Sequence, residues 1–100
     1  MPQFAVNVAH RLTQDEATAR LQQFVERMQT EHADKLADME GSWVGSTLNF
    51  AFRTMGFPIH GAMNVEESLV SLQGQLPLAA SFFRGRIEQT IRGELESVLG

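Results

Sequence analysis

Phe4, Val6 and Val8 alternate with Ala5, Asn7 and Ala9, and a period of two marks a strand with one buried face. The period then changes. Ala17, Leu21, Phe24, Val25, Met28 and Leu36 recur at helical spacing among charged and polar residues, predicting a helix from about Gln14 to Leu36. Its start is signalled by Thr13-Gln14-Asp15-Glu16. In such a capping box the Thr hydroxyl and the Glu carboxylate each satisfy an orphan backbone N–H, and acids in the first turn suit the helix dipole.

The period returns to two after that helix. Met39 to Val44 reads as a strand, and Gly45-Ser46 supplies turn residues before Leu48, Phe50 and Phe52. The chain turns again at Gly56 into Phe57, Ile59, Gly61, Met63 and Val65. Glu66-Glu67-Ser68 then reverses it into Val70, Leu72, Gly74 and Leu76. Short loops between alternating runs predict an antiparallel meander. Pro58 lacks a ladder donor and is expected at a strand start or facing outward. Pro77 suits the first turn of a closing helix, whose stripe is Ala80, Phe83, Ile87, Ile91, Leu95 and Val98. Gly85 and Gly93 within it each cost about 1 kcal/mol relative to Ala, so packing on the sheet must stabilise this helix. The expected fold is a single α+β domain over residues 1–100, a two-layer sandwich of order β-α-β-β-β-β-α with both helices on one face of an antiparallel sheet.

The inward strand positions are apolar throughout. The outward ones include Asn49, Ala51, Arg53, His60, Ala62 and Asn64, with Arg53 the one reliably charged side chain among them. Solvated sheet faces commonly carry Lys and Glu, which discourage association. A flat face of alanines and amides suits either plain solvation or a second copy, so these six positions are a candidate homodimer surface.

Bulk composition narrows the functional classes. With 100 residues, 43% hydrophobic and 20% charged, the chain is an ordinary globular domain. It buries roughly two-thirds of its unfolded surface, which leaves little room for a large internal pocket. It has no cysteine, which excludes disulfides, thiolate metal sites and cysteine nucleophiles and favours the cytoplasm. The opening Met1-Pro2-Gln3-Phe4 does not read as a signal peptide, and no apolar run reaches the length of a membrane span. Net charge is −4 with scattered basic residues, which argues against a nucleic-acid partner.

Candidate chemistry is sparse. His10, His32 and His60 lack metal-ligand spacing and read as surface histidines. Glu31, Asp34, Asp38 and Glu40 lack the pattern of a calcium loop and read as a solvated acidic patch. Gly41-Ser42-Trp43-Val44-Gly45 is neither a nucleophile elbow nor a phosphate loop, and Trp43 reads as core. No nucleophile, base and orienting group assemble, so neither an enzyme nor a metal or cofactor site is expected. Leu76 to Phe83 is denser in apolar residues than one buried face requires. Leu78 and Phe82, followed by Arg84 and Arg86, either start a helix wedged under the sheet that buries both aromatics or have the makings of an interfacial anchor.

In order and spacing, these segments resemble the polyhydroxyalkanoic acid system protein family, short bacterial proteins encoded beside genes of storage-polyester metabolism. The resemblance rests on Gln3-Phe4-Ala5-Val6-Asn7-Val8, Glu16-Ala17, Trp43, Leu48-Asn49-Phe50, Gly56-Phe57, Ile59 and Gly61. It continues through Gly74-Gln75-Leu76-Pro77, Phe83, Gly85, Ile87-Glu88 and Ile91. It implies association with polyester granules or their proteins, and offers no catalytic motif to carry over. The element order is also similar to a reduced helix-grip fold, as in START and plant-allergen proteins, which are longer and enclose a cavity. Two roles follow as expectations: a non-enzymatic accessory protein at the granule surface, contacting it through Leu78, Phe82, Arg84 and Arg86, or a small carrier. The carrier would hold an acyl or 3-hydroxyacyl ligand between sheet and final helix.

Overall fold

Where the chain alternates with period two it is extended, and where it recurs every three or four residues it is helical. A computed structural model describes residues 2–31, 37–54 and 56–100, with residues 37 and 38 described by their backbone. The elements are β1 (Gln3–Ala9), α1 (Gln14–Glu31), β2 (Ala37–Val44), β3 (Thr47–Thr54), β4 (Phe57–Val65) and β5 (Leu69–Gln75), then a 3-10 turn (Leu78–Phe83) and α2 (Arg84–Leu99). This is the expected α+β order. β2 begins two residues earlier than the alternation suggests. The end assigned to the first helix, through His32 and Leu36, lies outside the described residues, as does Asp34.

The sheet is antiparallel throughout, in the order β1-β5-β4-β3-β2. β1 and β2 therefore form opposite edges although only α1 separates them in sequence. An 18-residue helix is about 27 Å long, whereas five strands span about 19 Å. α1 is thus long enough to cross the sheet obliquely, and it touches both β4 and β2. Phe4, Val6 and Val8 of β1 are buried beneath the helices together with Leu48, Phe50, Ile59, Met63, Val65, Val70, Leu72 and Leu76. Phe52, Trp43 and Phe57 pack against this core half-buried.

One row across the inner face limits what can stand there. Strand register aligns Gly41, Phe50, Gly61, Gly74 and Phe4, one from each strand. A Cβ on Gly74 would run into the Phe4 ring, and one on Gly61 into the Gln73 carbonyl oxygen. Glycine is needed at both because ring and backbone already fill the space a side chain would use. Gly45 and Gly56 serve a different purpose, with φ of 62° and 81° in the turns joining β2 to β3 and β3 to β4.

The structure corrects the start of the closing helix. The stretch after Pro77 is a 3-10 turn before α2 begins, with the Ala80 N–H bonded to the Pro77 carbonyl at 2.9 Å. Pro77 offers no side-chain cap, and Ala80 is the buried residue of the turn. Three residues per turn put Ala80 and Phe83 on one side and Ala79 and Phe82 on another. Ile87, Leu95 and Leu99 of α2 are buried, while Ile91 and Val98 pack half-buried on the core.

The capping box forms as expected. The Glu16 N–H bonds the Thr13 hydroxyl oxygen at 3.1 Å, and the Thr13 N–H reaches the Glu16 carboxylate at 3.3 Å. The Thr13 hydroxyl also donates to that carboxylate at 3.0 Å. This bond first, then the Thr13 N–H and the Arg20 charge, hold the Glu16 carboxyl below its ordinary 4.5. A lowered folded pKa contributes stability fully above the unfolded value, and loses it as pH falls through the folded one. Thr13→Ala is expected to cost about 1 kcal/mol at neutral pH. Denaturant melts at about pH 7 and about pH 3 should show the gap to wild type narrowing in acid. A variant as stable as wild type at neutral pH would mean that this box does not start α1.

Candidate functional site

The placement of α2 begins at the edge of β1. The Ala5 N–H donates to Glu88 Oε2 at 3.0 Å, and Arg92 Nη1 donates to the Asn7 carbonyl at 2.8 Å. Both backbone groups lie along the edge that β5 does not pair. Charge-assisted bonds of this kind are the stronger ones, and they seal an edge that would otherwise template another strand. α2 accordingly packs chiefly on β1. The opposite edge is broken by a register shift between Ala37 and Glu40, an irregularity that also discourages strand addition.

α1 is fixed separately. Gln14 Nε2 donates to the Val65 carbonyl at 2.9 Å, and the Thr18 hydroxyl bonds the Ser46 hydroxyl at 3.3 Å. The helices meet where Arg20 Nη1 donates to the Val98 carbonyl at 3.3 Å. Away from that meeting point a groove of about 360 Å³ opens between them over β2 to β5. Phe24 and Met28 of α1, Met39 of β2, Phe50 and Phe52 of β3 and Ile91 of α2 line it. Its volume falls at the low end of the range of small-molecule sites, and it is an open groove rather than a large internal pocket. Two helices converging at one end cannot cover the sheet evenly. The polar side chains at the groove are Thr54 of β3 and Arg86, Thr90 and Glu94, four residues apart on α2.

Two of the exposed apolar residues lie in the 3-10 turn just before α2. Phe82 is 89% exposed and Leu78 75%, while Arg84 and Arg86 are exposed after them. Phe83 turns the other way, its ring 6.1 Å from that of Phe57. Phe57 pairs with Thr54, which lines the groove. The 3-10 turn and the Arg86 end of the groove therefore share one end of the molecule. Val44 is exposed at the far tip, on the β2–β3 hairpin. Sequence periodicity places Leu78 and Phe82 off the buried stripe. It misses the groove, whose signal would be the polar spacing of Arg86, Thr90 and Glu94 within an otherwise apolar wall.

On the outer face Asn49, Arg53, His60 and Asn64 are exposed, and Ala51 and Ala62 half-buried. Register sets Asn49 opposite Ala62 and Ala51 opposite His60, so the six candidate positions form one continuous patch on β3 and β4. Beside it Gln3, Gln73 and Gln75 join Asn49 and His60 around a shallow polar depression over Gly61 and Gly74.

His10 is not a surface residue as the sequence reading had it. It is 8% exposed, its Nε2 lies 2.9 Å from the Glu66 carbonyl, and its Nδ1 accepts the Leu12 N–H at 3.2 Å. The backbone after β1 still pairs with the β4–β5 turn, through the His10 N–H and the Ser68 carbonyl at 2.9 Å, which folds the ring inward. Both ring nitrogens are occupied, one within the β1–α1 loop and one against the β4–β5 turn. No group of three or more His, Cys, Asp or Glu among the described residues is placed to hold a metal. No helix among them is long and apolar enough to cross a membrane.

Sheet, helices and groove define the class: a two-layer α+β protein with a cleft between its helices. The family described as "Putative polyhydroxyalkanoic acid system protein" matches residues 4–99, and the chain belongs to it. No curated protein and no solved structure matches the chain, so the helix-grip likeness rests on element order alone.

Proposed function

We propose that this chain is a non-enzymatic accessory protein of polyhydroxyalkanoate storage, adsorbing to the granule surface or to a protein on it. Its family supports a place in that system. The observation that carries the granule contact is the 3-10 turn, with Phe82 and Leu78 bare to solvent and Arg84 and Arg86 beside them. A storage granule is an apolar polymer with an amphiphilic coat, and an apolar spot rimmed by cations matches it. Burying one aromatic ring contributes about 1.5–3 kcal/mol, enough for reversible adsorption.

The groove favours a second reading, in which the chain carries an acyl or 3-hydroxyacyl ligand between the sheet and α2. The two readings are compatible, because the Arg86 end of the groove lies at the end of the molecule that bears the 3-10 turn. The patch around Ala51 and Ala62 is then left for a second copy, away from both.

Phe82→Ser is expected to release the protein from isolated granules with its melting temperature nearly unchanged. Phe83→Ser should unfold it, since that ring packs on Phe57. If Phe82→Ser destabilises as badly as Phe83→Ser, or leaves granule binding intact, the contact is not made by this turn. For the dimer, Ala51→Glu with Ala62→Glu sets like charges across a two-fold interface. Sedimentation should show that variant as monomer and the wild type as dimer. A wild type that stays monomeric at high protein concentration removes the second copy from the account.

A further inference from the structure

The groove has a polarity along its length that selects one kind of ligand. Arg86, Thr90 and Glu94 stand on successive turns of α2 and line the same cavity, so cation and carboxylate are separated by about 12 Å of helix. The cation lies toward the 3-10 turn, away from the end where the helices are joined. The carboxylate lies toward the end where Arg20 ties the helices together at Val98. Between them the floor is apolar, including Leu48, Met63 and Leu72 from three strands.

We infer that the groove binds a single-chain anionic amphiphile, with its carboxylate beside Arg86 and its alkyl chain running along the floor toward Leu95. The inference rests on the carrier reading and adds to it the head group and its direction. A neutral chain would fill the floor and add no charge pairing to the guanidinium of Arg86. A cationic head would be repelled by Arg86, or would have to enter toward Glu94, where the helices close together. A carboxylate at the Glu94 end meets repulsion, so one orientation pairs the head with Arg86 and keeps it away from Glu94. The net charge of −4 disfavours anions in general, and a preference for a carboxylate would therefore report the local cation.

Binding of decanoate, 1-decanol and decyltrimethylammonium to the full chain, followed by amide chemical shifts, separates the possibilities. Decanoate is expected to bind about fivefold more tightly than 1-decanol, with shifts at Phe24, Phe52 and Ile91. Arg86→Gln should abolish that advantage while leaving 1-decanol binding unchanged, and Glu94→Gln should strengthen decanoate. Equal or tighter binding of 1-decanol or the ammonium, or indifference of decanoate to Arg86→Gln, overturns the head-group assignment while the carrier reading stands. If none of the three shifts the groove residues, the carrier reading fails and this inference with it.

Discussion

Glu88 and Arg92 bind the edge of β1, and the arrangement of the inner face follows from that attachment. A five-stranded antiparallel sheet has two free edges and one face to cover, and this chain has two helices for the task. α2 spends its charged side chains on the edge it lies beside, which fixes it over β1. α1 must run from that side to β2 at the far edge, because the strand order leaves it no other course. One helix is held along the sheet while the other crosses it. They meet near Arg20 and Val98 and leave an uncovered wedge over β2 to β5.

The same attachment accounts for the exposed aromatic. α2 starts only after the 3-10 turn has carried the chain from the end of β5 to the helical layer. The tight turn buries Ala80 and directs Phe83 onto Phe57. Phe82 is left outside by the geometry of three residues per turn. The exposed phenylalanine and the Arg86 end of the apolar groove lie at one end of the protein. The outer sheet face, rich in amides and alanines, has a different character.

Much of the fold was legible in the sequence because its signals are local. Alternation of Phe4, Val6 and Val8 needs only neighbours to specify a buried face, and Thr13 with Glu16 specifies a helix start within four residues. The family was legible in the same way, from the order and spacing of short pieces such as Gly74-Gln75-Leu76-Pro77. Features that depend on distant pairing were not. His10 reads as a surface histidine, but the β4–β5 turn brings Ser68 and Glu66 against it and buries it. The run from Leu78 to Phe83 carries helical spacing equally well as a 3-10 turn, and only the bond from Ala80 to Pro77 decides between them. The groove depends on the angle between two helices, which no periodicity encodes. Of the candidate residues, Arg86 was chosen as the rim of an exposed patch and proves also to line that groove.

A granule-surface role makes the most direct demand on where the protein resides. Polyester-accumulating cells of the source organism can be broken gently and separated on a density gradient, with the chain followed by antibody through granule and soluble fractions. The account predicts that the protein sediments with the granules and moves to the soluble fraction when the cells have consumed their polyester. A protein found in the soluble fraction at every stage of accumulation would contradict it.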